Sequence, residues 1–446
     1  MRSEYTKPKI IVEPPGPKAR AIIEKDHEML SPSLTRTAPL VAYKASGVFV
    51  EDVDGNVYLD WGSGIAVVSV GHTNPVVVQA IKAQVEKLIH ANSLDYYTVP
   101  QVEYAEMLFK VTPGNFKKRI FYTNSGSESI DTAIKVAKWH TRRYYGLGFI
   151  NGFHGRTLGA VTFTTTDLAA RRGYFPLYPV AVYAHYPYCY RCPFKQEYPD
   201  CGLYCFDYIE NIIFKKLAPP DETAFILIEP IQGAGGYIVP PKEFLPKLQK
   251  LANDNGIVFI VDEVQTGFAR TGKMFACMHW NVEPDVLAVS KAIAHGLPAG
   301  AVITKAEVMD WGPGAHEGTL NGNPVVMEAA KAVLNYIIKN KLDERAAELG
   351  EYMKKRFNEL AEKYEIIGDV RGLGLMIGIE LVKDRRTKEP IKKTRNELIQ
   401  RAFKKGLLLL GAGETSIRIA PPLIITKEQI DMGFELFEES LKEVIS

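Results

Sequence analysis

The chain has 446 residues, of which 46% are hydrophobic and 24% charged, and a formal net charge of +2. It is long enough for a large core and two or three domains, and its composition is that of an ordinary globular protein. The near-neutral balance, with no long basic run, argues against nucleic acid or an anionic membrane as partner. No stretch approaches the roughly 20 apolar residues that span a bilayer. Behind Met1-Arg-Ser-Glu-Tyr there is no apolar region, so no secretory signal is expected and the cytoplasm is the default location.

In chain order, residues 1–45 read as an N-terminal arm with a short amphipathic helix from Ala19 to Met29. Residues 46–60 alternate in polarity and turn at Asp54-Gly55-Asn56, a hairpin signal. From about 70 to 325 apolar runs alternate with helical patterns, which predicts an α/β fold: a mostly parallel sheet wrapped by helices. The expected strands are 119–123, 147–151, 180–184, 223–229, 256–262, 285–289 and 299–303, with helices at 75–92, 100–111, 127–145 and 243–255. Residues 325–365 are strongly helical. The remainder to 446 reads as a small α+β domain with strands near 374–382 and 416–419 and a terminal helix from 427. The expected domains are 1–65 (arm and small-domain segment), 66–330 (large domain) and 331–446 (C-terminal small domain).

Two strand ends carry the most chemistry. Gly256-Ile-Val-Phe-Ile-Val-Asp262-Glu263 ends in acids, and Asp285-Val-Leu-Ala-Val-Ser290 is followed at once by Lys291. A lysine past a strand is usually a solvated loop residue, and Asp-Glu there is usually a turn. Together the two suit pyridoxal phosphate, which needs an amine for its aldehyde and a carboxylate to keep its pyridine nitrogen protonated. Ligands of open α/β sheets sit at the carboxyl ends of strands, so both side chains can face one crevice.

Other segments are read with their plainer alternatives. Asn124-Ser125-Gly126-Ser127-Glu128 opens a helix after a strand, either as a phosphate cradle or as an ordinary cap. Phe153 could stack on a ring or be core. Gln265 could bond a ring hydroxyl or be solvated, and Val264 is placed to press on the ring's other face. The Gly-rich Glu317-Gly318-Thr319 segment could meet a phosphate or be only a turn. Arg418, on a short apolar strand, needs an anion: a structural acid or a substrate carboxylate. Four of the five cysteines, Cys189, Cys192, Cys201 and Cys205, crowd into one Pro- and Tyr-rich loop. They read as a local structural staple, with disulfides ranked slightly above zinc and free buried thiols as the third option.

From about residue 35 to the C-terminus the chain resembles the class III (ω-amino-acid type) aminotransferases of PLP fold type I. The motifs, in order, are Asn-Ser-Gly-Ser-Glu, Phe-His-Gly-Arg-Thr, Ile-Glu-Pro-Ile-Gln-Gly, Asp-Glu-Val-Gln-Thr-Gly, Ser-Lys-Ala-Ile and Arg-Gly-x-Gly-Leu-Met-x-Gly. The resemblance implies a homodimer with its site at the subunit interface. It implies Lys291 as the Schiff-base lysine, Asp262 as the pyridinium partner, and Phe153 and Val264 on the two ring faces. Gln265 would touch the ring hydroxyl, and Ser125, Gly126 and Ser127 would hold the phosphate with Thr319 from the other subunit. His154 and Glu229 are further cofactor-binding candidates, Arg418 binds the α-carboxylate, and Ile65, Ala66 and Val67 are apolar candidates for the side-chain pocket.

The pattern breaks at 234. Dual-substrate members carry a glutamate there that masks the arginine; this chain has Gln232-Gly233-Ala234-Gly235. His295, Leu320 and Asn321 also depart from the family. The chain further resembles an archaeal and bacterial subgroup that includes amino-acid racemases, in which an acid at the position of Ala234 is the natural second proton donor. An alanine can neither gate Arg418 nor donate a proton. The missing gate favours racemisation of α-amino acids with uncharged side chains, with transamination to 2-oxoglutarate as the alternative. The set Lys291, Asp262, Gln265 and Arg418 argues against a silent scaffold.

Overall fold

A computed structural model describes residues 5–445. The chain divides into two units, one formed by Val76–Glu344 and the other by Met1–Pro75 with Arg345–Ser446.

The first unit is built on a seven-stranded sheet. Its strands are β1 (Lys118–Thr123), β2 (Tyr145–Phe149), β3 (Ala181–Ala184), β4 (Thr223–Ile228), β5 (Val258–Asp262), β6 (Val286–Val289) and β7 (Gly300–Lys305), in the spatial order β1-β7-β6-β5-β4-β2-β3. β3, β2, β4, β5 and β6 pair in parallel. β7 is antiparallel to both β6 and β1, so six strands share one direction. Both faces of the sheet must be covered, which is why the central strands are apolar throughout. Phe225, Leu227, Val258, Ile260, Val286 and Ala288 pack with Ile130, Ala133 and Ala137 of helix α1 (Gly126–Thr141). Phe163 adds an edge-on ring contact to Phe225 at 5.4 Å, the sort of pair that contributes about 1 kcal/mol beyond burial.

Two expected helices run too long. The one predicted over 75–92 ends at Val85. The one predicted over 127–145 ends at Thr141, because Arg142 turns left-handed at φ 58° and closes the helix before β2 starts. The helical stretch 325–365 is two helices, Pro324–Lys339 and Leu342–Lys363, separated at Lys341 with φ 48°.

The second unit holds two small sheets. Strands 42–46, 49–52 and 57–60 form a meander that the short strand 407–408 joins in parallel. Strands 367–373, 376–381, 416–419 and 410–412 form the other, wholly antiparallel sheet. Trp61 is fully buried against Phe357 and Phe434. Gly433 is glycine because a Cβ there would lie 2.1 Å from the Trp61 ring.

Segment 189–205 forms a one-turn helix at Cys189–Arg191, an irregular stretch, and then a helix from Tyr204. The staple expected there is not formed: Cys189, Cys192, Cys201 and Cys205 are free thiols. Among the described residues no three His, Cys, Asp or Glu side chains are placed to hold a metal ion. No helix among them is long and apolar enough to cross a membrane.

Candidate active site

The loops leaving β1, β2, β4, β5 and β6 all start from one edge of the large sheet, and the polar residues of the first unit concentrate there. Asp262 closes β5 and is 4% exposed. Its Oδ1 accepts from the Val264 backbone N–H at 3.0 Å, and its Oδ2 lies 2.7 Å from His154 Nδ1. A carboxylate only accepts, so that ring nitrogen carries the proton. His154 is itself buried, and Thr164 Oγ1 accepts from its backbone N–H.

Glu229, the first residue past β4, brackets two loops. One carboxylate oxygen accepts from the Phe153 N–H and the other from the Gly233 N–H, both at 2.8 Å. Burial pushes its carboxyl up to about 7; the neighbouring His154 works against that rise and Asp262 adds to it. Glu263 points elsewhere. It accepts from Thr266 and from the Cys277 N–H, and burial raises its pKa. Of the two acids after β5, then, Asp262 belongs to the polar edge and Glu263 secures the fold.

Lys291 follows β6 with only Ser290 between them. Asp262 is in register with Ala288 on the neighbouring strand, three residues before the lysine. The lysine backbone is left-handed at φ 42°, a costly conformation for a residue with a side chain, and one that tends to cluster at functional sites. Ser290 anchors the turn, its hydroxyl donating to the Ala299 carbonyl at 2.6 Å.

At the start of α1, the Ser125 hydroxyl accepts from the Glu128 N–H, so the expected cap is present. Ser127 Oγ accepts from the Arg156 N–H, and Gly155 at φ 137° presses on Ser127 too closely for any side chain. Gly126 likewise faces Val264, where a Cβ would come within 2.8 Å of Cγ1. Phe153 is half-buried, with the Arg156 guanidinium 5.4 Å from its ring centre. Thr319 is exposed on its loop. Two residues later, Asn321 Oδ1 accepts from Asn124 Nδ2, and Asn124 is also held by Glu128. No local pattern announces that link, which spans 197 positions.

Residue 234 sits in a tight turn closed by Gly236 N–H and Tyr237 N–H donating to the Gly233 carbonyl. Ala234 is half-buried and brings only a methyl group.

In the other unit, Arg418 lies on strand 416–419. Its Nε is buried and has no hydrogen-bond partner among the described residues. An acid on the neighbouring strand is taken: Glu380 accepts from Arg371 and from the Ser416 hydroxyl. Ile65 stands 42% exposed in a run of left-handed residues from Ser63 to Ala66, while Ala66 is buried and Val67 half-buried.

A lysine just past the strand next to a buried, His-backed carboxylate, with a capped helix N-terminus at the same sheet edge, suits a phosphorylated pyridine aldehyde. The fit has independent marks. Gln265 Oε1 is a buried acceptor with no partner among the described residues, suited to a ring hydroxyl. Gly126 and Gly155 leave their surroundings no space for a side chain at the helix start, where backbone N–H groups favour an anion.

The chain belongs to the class III aminotransferases: residues 31–441 match the family Aminotransferase class-III. It is 40% identical to the alanine/serine racemase of Pyrococcus horikoshii, over 98% of this chain and 94% of that protein. It is also 40% identical to the leucine/methionine racemase of Thermococcus litoralis, over 95% of each. Among solved structures it is similar to an amine transaminase from an uncultivated Pseudomonas species in the PLP-bound (internal aldimine) form. The TM-score is 0.86 at 29% identity, over 93% of this chain and 98% of that one.

Proposed function

We propose that this protein is a pyridoxal-phosphate-dependent racemase of α-amino acids with uncharged side chains. The observation that carries the reading is the pair Ala234 and Arg418. An enzyme that alternates an ω-amino donor with 2-oxoglutarate must mask its carboxylate-binding arginine for one of them. Here residue 234 is a methyl group, and Arg418 keeps an unpartnered buried Nε. A racemase needs no mask, because every substrate it meets carries an α-carboxylate. Two relatives named as racemases of uncharged amino acids, similar over nearly the whole chain, support the same reading.

Bound pyridoxal phosphate supplies an electron sink that makes the α-proton of an attached amino acid acidic. Lys291 would hold it through its amine, α1 with Ser125, Gly126 and Ser127 would carry its phosphate, and Val264 and Phe153 would flank the ring. Asp262, oriented by His154, would keep a proton on the pyridine nitrogen, and Gln265 would accept from the ring hydroxyl. Arg418 would bind the α-carboxylate. Lys291 would serve as the general base toward the α-proton. Ala234 cannot supply the proton returned to the opposite face, so that proton comes from solvent or another group.

A homodimer fits this reading. Tyr96, Tyr97, Val99 and Val102 form an exposed apolar run in the single chain, the kind of feature that marks an interaction surface. Thr319 would act on the partner's phosphate.

A second reading is favoured by the same alanine: lacking the second acid, the enzyme transaminates to 2-oxoglutarate. Chiral chromatography of the enzyme with single L-amino acids, run with and without 2-oxoglutarate, separates the two. D-product without keto acid is expected. Glutamate formed only with 2-oxoglutarate, and no D-product, overturns the racemase. Where D-product does form, Ala234→Asp should raise the racemisation rate by about tenfold or more, as a positioned acid does.

A further inference from the structure

The thiols of Cys189, Cys192, Cys201 and Cys205 take no part in that chemistry, yet they are gathered. All four line a single cavity of about 20 Å³, walled by Tyr186, Phe194, Leu203 and Tyr204. Packing brings the two ends of the segment together without any covalent bond. The Phe194 ring lies 5.0 Å from that of Tyr204, 5.4 Å from Tyr208 and 5.0 Å from His185. Cys189, on the turn before Phe194, is thereby brought near Cys205, in the first turn of the helix after it.

Three uses of such a cluster can be weighed. The cavity has room for about one water molecule, too little for a substrate. A metal ion is disfavoured by the placement of the thiols, no three of which converge as ligands. Nucleophilic catalysis is disfavoured too: burial, then the neighbouring cysteines, push Cys189 up to about 11, and Cys205 is pushed up to about 12 mainly by burial. At neutral pH the thiolates of Cys189 and Cys205 are therefore scarce, and their attack on any electrophile is slow. The same property favours an oxidised pair, because a reduced thiol that resists ionisation gains no stability from the thiolate form.

We propose that the four cysteines are an oxidation site at which segment 189–205 closes into intrachain disulfides, first between the solvent-exposed Cys189 and Cys201. Cys201 lines the same cavity as Cys189, and Cys192 and Cys205 remain as the second pair. The oxidant is a low-molecular-weight disulfide. The Cys189 sulfur loses its proton and attacks one sulfur of the oxidant, releasing one thiol and leaving a mixed disulfide. Cys201 then loses its proton and attacks the Cys189 sulfur, releasing the second thiol. The cysteine pair gives up two electrons and the oxidant gains them. The cross-link fixes the loop ahead of helix Tyr204–Tyr208 and leaves the strand-end site unchanged.

The test uses holoenzyme treated with oxidised glutathione, alkylated in denaturant without reductant, and digested for mass spectrometry. A peptide pair joined through Cys189 and Cys201 is expected, with Cys277 still alkylated, a raised thermal midpoint and unaltered turnover. In Cys189→Ser the joined pair should vanish, whereas Cys192→Ser with Cys205→Ser should keep it. Complete alkylation of all four cysteines overturns the proposal. So does a glutathione adduct that persists on Cys189, or a stoichiometric zinc ion that protects the cysteines until chelated.

Discussion

The strand-end edge and the thiol segment lie in the same unit and are comparably rich in reactive side chains, yet their environments send them in opposite directions. At the edge, the buried acids have designated partners. Asp262 has His154 and the Val264 N–H, Glu229 has two backbone N–H groups, and Gln265 keeps one acceptor open. Around the cysteines the neighbours are mostly aromatic, and burial among them holds the Cys189 and Cys205 thiols protonated. Residue type alone does not make a site. What matters is whether the fold offers hydrogen-bond donors, opposite charge and room for a ligand, and parallel strand ends offer all three.

Breaking the edge should therefore be costly, most of all at the amine. On the proposed mechanism, Lys291→Ala removes both the cofactor anchor and the general base. We expect D-amino-acid formation to fall by about 10³-fold or more, with loss of the visible absorbance of the bound cofactor. Asp262→Asn keeps the shape but not the charge, and should cost about 10²–10³-fold in kcat, measured by chiral chromatography. A comparable loss on changing Cys189 would erase the contrast between the two regions.

Arg418→Gln sharpens the account on the substrate side. Charge-assisted hydrogen bonds to a carboxylate contribute about 1.5–3 kcal/mol, so KM should rise by about ten- to a hundredfold, with a smaller change in kcat. The smallest effect concerns pH. Glu229 is raised to about 7 by burial, above an unfolded carboxyl's 4.5. The folded state therefore holds this proton more tightly than the unfolded one. The resulting stabilisation is complete below the unfolded value and is lost as pH rises through about 7. Glu229→Gln should flatten that part of the thermal midpoint's pH profile while lowering stability overall, since one N–H loses its carboxylate acceptor.

Much of the large sheet was legible because its strands are short, β-branched and buried on both faces, with acids, a lysine or a capping serine just past their ends. Lys291, Asp262 and the cap at Ser125 could be read from those endings. The strand 42–46 was not, since Ala-Tyr-Lys-Ala-Ser at a sheet edge has no apolar alternation. The strand 367–373 also escaped notice: its polar Asp369 and Arg371 are tied to each other and to Glu380 instead of forming a solvent face. The two helix overruns came from left-handed or irregular closures that no glycine marked. Within the site, the motifs named His154 and Glu229 but not their work: one orients Asp262 and the other fastens two loops. The link from Asn321 to Asn124 had no local signal at all.

The most direct measurement is proton NMR and chiral analysis of L-alanine incubated with the enzyme in heavy water, without any keto acid. The account predicts loss of the α-proton signal together with growth of D-alanine toward equal amounts of the two enantiomers, deuterium standing at the α-carbon of the D-product. Exchange of the α-proton with the L-form fully retained, and alanine consumed only when 2-oxoglutarate is added, would contradict it.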